Sequence, residues 1–256
     1  MILPLDHLVI NSHFALDDSA KLFADLGFHL TPRGYHSLGS INHLIMFEHH
    51  YLELIGLPNQ REPLRRELLE SPVGIDGLVF ATTDAAQTEN TLRQSGFAVQ
   101  PVQHFSREVI SAQASGEARF STMRLQAGSF SAGRAYFRQH HTPEWVWRDE
   151  WLQPGRIKSL IVVAKEVAAT AQQYARLGQT NLLHVISPAE WRQEYGALLP
   201  VATERESWFA AIQISGRDLT QLSQAAAAIG LPHEQRTGQL RVAIPALQMV
   251  LEFTDD

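Results

Sequence analysis

The sequence predicts an α+β fold built from four βαβββ units, with mixed sheets that carry helices on their outer faces. The first observation is that a short apolar strand, an amphipathic helix and a glycine follow one another four times. The second is that the spacing from strand to glycine is nearly constant, at 19 or 20 residues. The third is that further apolar runs of strand length follow most of these glycines. Four copies at one spacing indicate duplication of a unit.

Each unit opens with a strand and a helix. The predicted strands are Leu5–Ile10, Ile75–Phe80, Ile157–Val162 and Phe209–Ile214, and their alignment places His7, Gly77, Ser159 and Ala211 at one position. The predicted helices are Asp17–Leu26, Asp84–Ser95, Val167–Leu177 and Asp218–Ile229. Three helices have an acidic residue near the start, and a glycine just past each one suits a left-handed C-cap.

Three further strands are predicted after the glycine in most units. They are Phe28–Pro32, Ile41–Glu48 and Tyr51–Ile55 in the first unit, Phe97–Val102, Arg119–Gln126 and Arg134–His140 in the second, and Leu231–Arg236, Leu240–Ile244 and Met249–Phe253 in the fourth. The third unit is degenerate, with one strand over Leu182–Ile186 and then a short capped helix from Ser187. The connecting segment Pro58–Pro72 is expected to be partly helical, and Thr142–Pro154 to pack on the body through its three tryptophans.

Composition excludes several function classes. The chain of 256 residues is 45% hydrophobic and carries a net charge of −6, which argues against nucleic-acid binding. It contains no cysteine, so disulfides, thiolate metal sites and a cysteine nucleophile are ruled out. No apolar run reaches the length of a membrane span, and the first residues do not resemble a signal peptide, so a cytoplasmic protein is expected.

Two strands carry a polar residue inside an apolar run. His7 lies in Leu-Asp-His-Leu-Val-Ile, and Glu53 lies in Tyr-Leu-Glu-Leu-Ile. Burying either side chain without a partner costs several kcal/mol, so each is expected to bind something. A hydrogen-bonded core histidine and a carboxylate paired with an arginine are the structural alternatives to metal ligands.

These two motifs, at their positions in a repeated βαβββ unit, resemble the vicinal oxygen chelate superfamily of glyoxalases, extradiol dioxygenases and antibiotic-resistance proteins. The string His-His-Thr-Pro-Glu that closes the second unit is similar to a glyoxalase-like group within it. The resemblance implies two pairs of units, each a curved mixed sheet forming an incomplete barrel. It divides the chain into residues 1–150, with the candidate metal site, and 151–256, a scaffold in which Glu252 is structural.

The resemblance also implies a metal bound at the first and last strands of two paired units. These positions match His7, Glu53, Gly77 and the end of Arg134–His140, although Gly77 cannot ligate. Because alternate residues of a strand share a face, either His140 or the set Gln139 and His141 points inward, and His140 is favoured because Phe137 then faces the covering helix. The predicted metal ligands are therefore His7, Glu53 and His140, with Glu53 also the catalytic carboxylate. The expected cofactor is divalent Fe, Mn or Zn.

Arginines on the second-unit strands suggest an anionic substrate. Arg138 and Arg124 are the candidates, with His43 as a further pocket residue, although solvent-facing positions are the ordinary alternative for Arg124, Arg138 and Arg119. The expected function is that of a metal-dependent lyase, isomerase or dioxygenase acting on a small oxygen-rich molecule. A metal-free binding or sequestering protein on the same fold is the alternative, motivated by Gly77. A small-molecule substrate is the expected partner, and a homodimer is left open.

Overall fold

The computed structural model describes residues 1–58, 65–111, 114–200 and 205–255. Its strands are β1 (Leu5–Asn11), β2 (Gly34–Tyr35), β3 (Ile41–Met46), β4 (Tyr51–Gly56), β5 (Gly74–Ala81), β6 (Gln103–Ile110), β7 (Ser115–Arg124), β8 (Arg134–His140), β9 (Arg156–Ala164), β10 (Leu183–Ile186), β11 (Ser207–Ser215), β12 (His233–Arg236), β13 (Gln239–Ile244) and β14 (Met249–Thr254). Its helices are α1 (Leu16–Asp25), α2 (Arg66–Glu70), α3 (Ala85–Gln94), α4 (Val167–Ala175), α5 (Pro188–Glu194) and α6 (Leu219–Ala228). Short 3₁₀ turns cover Pro143–Trp145, Asp149–Trp151 and Pro245–Leu247.

The strands form two mixed sheets, which confirms the predicted α+β class. One sheet has eight strands in the order β2-β3-β4-β1-β5-β8-β7-β6, and the other has six in the order β10-β9-β11-β14-β13-β12. In every unit the first strand pairs in parallel with the last strand, while the other pairs are antiparallel. The antiparallel pairs β1–β5 and β9–β11 join the units two by two.

The eight-stranded sheet curves until its two edges meet. His36, just after β2, forms an antiparallel bridge with Arg107 in β6. The Ser37 backbone N–H also donates to the Ser106 carbonyl oxygen at 3.5 Å. The resemblance implied an incomplete barrel, whereas here the bridge closes the barrel at that point. Several polar side chains of its inner face, among them His7, Glu53 and Arg138, are buried.

The third unit keeps the parallel strand pair and lacks the hairpin. β10 pairs in parallel with β9 and so takes the place of a last strand. The chain then enters α5 through a capping box, in which Ser187 Oγ accepts from the Glu190 N–H at 3.2 Å and Glu190 Oε2 accepts from the Ser187 N–H at 2.7 Å. Trp191 of this helix is buried in the core.

The strands predicted directly after three of the glycines begin later than expected. Each predicted segment contains a proline, at Pro32, Pro101 or Pro232. Proline cannot donate a hydrogen bond to a strand ladder, so β2, β6 and β12 begin one or two residues beyond it. The predictions over Phe28–Pro32 and Phe97–Val102 were wrong for this reason.

Helices α1, α3, α4 and α6 pack on the outer faces of the sheets, and one hydrophobic cluster contains buried residues from both sheets. The division at residue 150 stays a prediction, because separate sheets do not establish separate folding. In the segment Pro58–Pro72 the helical part is α2, and residues 59–64 lie outside the described residues. The described helices include none that is long and apolar enough to cross a membrane.

Candidate functional site

A β-bulge at the start of β1 turns two neighbouring polar side chains toward the barrel interior. The register of β1 against β5 shifts between Leu5 and His7, so Asp6 is the extra residue. His7 is completely buried and Asp6 is 1% exposed. In a regular strand these neighbours would face opposite sides of the sheet, and the bulge removes that alternation.

Asp6 joins two histidines. His7 Nδ1 donates to Asp6 Oδ1 at 2.5 Å, and His140 Nε2 donates to Asp6 Oδ2 at 2.8 Å. Burial alone would raise the pKa of Asp6, but the adjacent His140 and His7 outweigh it and hold the pKa well below its usual range. Because an ionised carboxylate can only accept, both ring nitrogens must carry protons.

The remaining nitrogen of His7 faces Glu53. His7 Nε2 and Glu53 Oε2 lie 3.3 Å apart, and within the described part of the chain neither atom has a hydrogen-bond partner. If His7 carries a single proton, on Nδ1, then Nε2 presents a lone pair to the carboxylate. Two atoms that both present lone pairs to each other repel unless a cation, either a proton or a metal ion, lies between them. Two ligand atoms about 2 Å from one metal are roughly 3 Å apart, so this pair fits a metal.

The other oxygen of Glu53 is held by the first-unit hairpin. Asn42 Nδ2 donates to Glu53 Oε1 at 2.6 Å, and His36 Nε2 lies 3.7 Å from the same oxygen. Burial outweighs the attraction of Glu53 and lowers the pKa of His36 to about 3, so this imidazole is neutral. Burial alone would raise the pKa of Glu53, but a proton on His7 Nε2, one of the two cations that can lie between the pair, and the charge of Arg138 hold that pKa well below its usual value. His36 was not among the site residues predicted from the sequence, because no local signal distinguishes it from the exposed His49.

Two tyrosines enclose His7. The Tyr51 ring stacks on the imidazole at 4.4 Å, and the Tyr136 ring meets its edge at 6.2 Å. Tyr136 also occupies the position in β8 that Glu53 occupies in β4. Glu53 pairs with Val9, two residues after His7, and Tyr136 pairs with Val79, two residues after Gly77. Tyr136 therefore corresponds to Glu53 when the second unit is aligned with the first. The sequence predicted this last-strand position further along the chain, at Gln139, His140 or His141.

Arg138 lies on the interior wall beside these groups. Its Nη1 donates to Tyr51 Oη at 3.0 Å, and its guanidinium lies 5.1 Å from the centre of the Phe120 ring. Burial alone would lower the pKa of Arg138, but the neighbouring Tyr51, Tyr136 and Glu53 raise it. The side chain therefore carries a permanent positive charge inside the barrel.

The other two predicted substrate-binding residues lie further from this cluster. β3 turns His43 to the face opposite Asn42, where its Nδ1 donates to the Thr31 carbonyl oxygen at 2.8 Å. Arg124 faces inward, 5.8 Å from the centre of the Tyr136 ring, and donates to Gln103 Oε1. It lines a separate cavity of about 300 Å³.

The end of β8 places His140 on the inner face. Gln139 Nε2 donates to the Thr83 carbonyl oxygen at 2.7 Å and His141 Nε2 hydrogen-bonds Ser121 Oγ at 2.6 Å, both away from Asp6. His140 Nε2 is directed at Asp6 instead of the His7–Glu53 pair. Among the described residues no three His, Cys, Asp or Glu side chains are grouped closely enough to hold a metal. His140 as a metal ligand stays a prediction.

The matching region of the second sheet has no such unpartnered pair among the residues that the structure describes. Glu252 accepts from Arg241 Nε at 2.7 Å, from Tyr195 Oη at 2.9 Å and from Gln213 Nε2. The same Gln213 accepts from Ser159 Oγ. These contacts hold Glu252 in a hydrogen-bonded network inside the scaffold.

Comparisons with known proteins agree with this architecture. A family model described as a glyoxalase-like domain matches residues 5–178, a range that includes the whole His7–Glu53 site. A search of curated proteins found no significant match.

Solved structures with the same fold cover nearly the whole chain. A hypothetical protein from Staphylococcus aureus has a TM-score of 0.70 at 14% identity, covering 98% of this chain and 99% of the other. A variant of 4-hydroxymandelate synthase from Streptomyces coelicolor has a TM-score of 0.58 at 12% identity, covering 98% of this chain and 92% of the other. At such identities the likeness establishes the fold alone.

Proposed function

Because the chain belongs to the glyoxalase-like domain family, we propose that it is a metal-dependent enzyme acting on a small oxygen-rich molecule. The observation that carries this proposal is the unpartnered pair formed by His7 Nε2 and Glu53 Oε2, 3.3 Å apart in the barrel interior. An imidazole nitrogen and a carboxylate oxygen are the donors expected for divalent Fe, Mn or Zn.

The surroundings of the pair support the same proposal. Asp6 accepts from His7 Nδ1, which directs the Nε2 lone pair toward Glu53. A carboxylate behind a ligating histidine is a common arrangement at metal centres because it fixes the tautomer and raises the basicity of the ligand. Asn42 holds the far oxygen of Glu53, so both donors are pre-oriented.

A bound divalent metal would supply Lewis-acid polarisation of a substrate oxygen. Arg138, beside the pair, would orient an oxygen-rich substrate through charge-assisted hydrogen bonds. The rings of Tyr51 and Tyr136 exclude water around His7, which strengthens these electrostatic interactions. The choice among lyase, isomerase and dioxygenase depends on the substrate.

Metal titration of the chelator-treated protein tests the proposal. We expect wild-type protein to bind Mn²⁺, Fe²⁺ or Zn²⁺ in calorimetry, and His7→Ala and Glu53→Gln to lose at least about tenfold in affinity because each removes one donor. Glu48→Gln and His49→Ala are matched controls, since both side chains are largely exposed and lie outside the barrel.

Circular dichroism would establish that the variants are folded, and Glu53→Gln preserves side-chain volume if His7→Ala does not fold. Equal metal affinity in wild type and both site variants would contradict the proposal. A chelator-sensitive turnover that is lost in the same two variants would support it.

A metal-free binding protein is the second candidate function, and Gly77 favours it. Gly77 occupies the first-strand ligand position of the second unit, and an added Cβ there would lie 2.7 Å from Val9 Cβ. The site therefore cannot accept a ligand side chain on β5. A protein of this class would bind a small molecule without turnover, and chelators would leave its affinity unchanged.

A further inference from the structure

Two buried guanidiniums line the barrel interior without a carboxylate partner. Arg107 in β6 is 5% exposed and Arg138 in β8 is 6% exposed. Neither forms an ion pair within 4 Å to any residue that the structure describes. Arg107 Nη2 and Arg138 Nε also have no hydrogen-bond partner there.

The nearby carboxylates do not pair with the two arginines. Both oxygens of Asp6 accept from histidines. Glu53 Oε1 accepts from Asn42, and Glu53 Oε2 faces His7 Nε2 without a hydrogen-bond partner among the described residues. In the part of the chain that the structure describes, Arg138 Nη1 donates only to Tyr51 Oη, and that phenol is neutral because burial raises its pKa well above its usual value. The positive charge of the two arginines is thus not neutralised by direct contact.

Burying an unpaired charge costs several kcal/mol, and two like charges near each other cost more. Burial lowers the pKa of Arg107, and the charge of Arg138 lowers it further. Arginine nevertheless remains protonated in proteins. An anion that contacts both guanidiniums would remove much of this cost, and a carboxylate has the matching geometry.

A cavity reaches Arg107 from the seam of the barrel, the place where the two edges of the eight-stranded sheet meet at the His36–Arg107 bridge. It measures about 680 Å³ and is lined by Pro32, Tyr35, Arg107, Val109, Ile110 and Trp151 among others. Tyr35 and Ile110 are 66% and 62% exposed, so the cavity opens to solvent beside the His36–Arg107 bridge. Its walls offer apolar surface for the body of an organic molecule, and its charged lining consists of Arg33, Arg107, Glu108 and Glu150. Of these four side chains, Arg107 is the buried one.

We propose that Arg107 and Arg138 bind the carboxylate of a small organic acid that enters through this seam cavity. The acid group would contact both guanidiniums, and its neighbouring oxygen-bearing carbons would approach Glu53 and His7. This inference names the substrate class of the proposed enzyme and rests on that function for turnover, whereas binding itself requires no metal.

Benzoate and its neutral analogue benzamide are the probes, used with chelator-treated full-length protein. We expect benzoate to bind saturably in calorimetry and to raise the melting temperature, and benzamide to bind at least tenfold more weakly. Arg107→Met and Arg138→Met should each weaken benzoate binding at least tenfold. Arg192→Met, at an exposed position of α5, is the matched control.

Without benzoate, Arg107→Met should melt at or above the wild-type temperature, because it removes a buried charge that has no carboxylate within 4 Å among the described residues. A lower melting temperature with unchanged benzoate affinity would show that the arginines are structural and overturn the inference. Equal affinity for benzoate and benzamide, or no binding of either, would also overturn it. Glu53→Gln separates the two proposals, since loss of metal binding with retained benzoate binding is expected there.

Discussion

At the scale of single residues, the site depends on one extra residue in one strand. Asp6 is the bulged residue of β1, and its two oxygens hold His7 and His140 in fixed orientations. The hydrogen bond to Nδ1 decides which nitrogen of His7 faces Glu53. Because both oxygens of Asp6 are used by the two histidines, Asp6 acts on the site by positioning them.

Replacing Asp6 by Asn tests this positioning role. The amide can accept from only one histidine and turns an N–H toward the other, so we expect the free energy of unfolding to fall by about 1–3 kcal/mol. Metal affinity should fall about 10-fold to 100-fold, because the orientation of His7 is lost. Urea denaturation and metal titration measure the two effects, and Asp18→Asn, at an exposed position, is the control. If Asp6→Asn kept the wild-type free energy of unfolding and the wild-type metal affinity, Asp6 would not have this positioning role.

At the scale of elements, the pairing of β1 with β5 explains why the second unit has glycine where the first has His7. Val9 and Gly77 lie directly opposite each other next to a second register shift. An added Cβ on Gly77 would lie 2.7 Å from both Val9 Cβ and Cγ2. The two units approach too closely here for a side chain on both strands.

The close approach predicts a strong coupling between these two positions. Gly77→Ala should lower the free energy of unfolding by about 1–3 kcal/mol in the wild-type background, because the strands must separate. In a Val9→Gly background the same change should cost much less. A double-mutant cycle from urea denaturation gives the coupling energy. If Gly77→Ala lowered the free energy of unfolding equally in both backgrounds, the close approach of Val9 would not be what excludes a side chain at position 77.

At the scale of the whole molecule, the two sheets are joined by a histidine. His50 lies in the turn between β3 and β4, and its Nε2 accepts from the Ile157 N–H at the start of β9 at 2.7 Å. Burial, with help from Arg156 and His49, lowers the pKa of His50 to about 4. The imidazole must be neutral to accept this hydrogen bond, so protonation opposes the contact between the sheets.

This contact makes stability depend on pH. The folded protein leaves His50 unprotonated down to pH about 4, whereas the unfolded chain binds a proton near pH 6.5. The unfolded state therefore binds more protons between these values, and stability falls as the pH drops through that window. From pH 7 to pH 5 we expect His50 to account for a loss of about 2 kcal/mol.

Urea denaturation at pH 7 and pH 5 measures that loss. His50→Gln cannot be protonated, so its free energy of unfolding should fall by about 2 kcal/mol less over the interval than that of wild type. His29→Gln should behave as wild type, because that residue is exposed and is not among the groups that shift the pKa of His50. An identical loss in wild type and His50→Gln would assign the pH dependence to other groups.

The repeated unit could be predicted from local patterns in the sequence. Strand periodicity, acidic helix starts and glycine C-caps are local signals, so the four strand–helix openings and most later strands follow from them. His7 and Glu53 could also be singled out, because a polar residue within an apolar strand is visible in the sequence. The strands predicted too early were misplaced because a proline overrides an apolar pattern.

Which side chains lie together could not be predicted in this way, because it depends on the pairing of distant strands. The bulge at Asp6, the closure of the barrel at His36 and Arg107, and the register that aligns Tyr136 with Glu53 each depend on strand pairing between distant segments. A shift of one residue reverses the face of every side chain in a strand, and no local pattern fixes that register. The sequence therefore indicates the candidate donors, and the pairing of the strands determines which of them face one another.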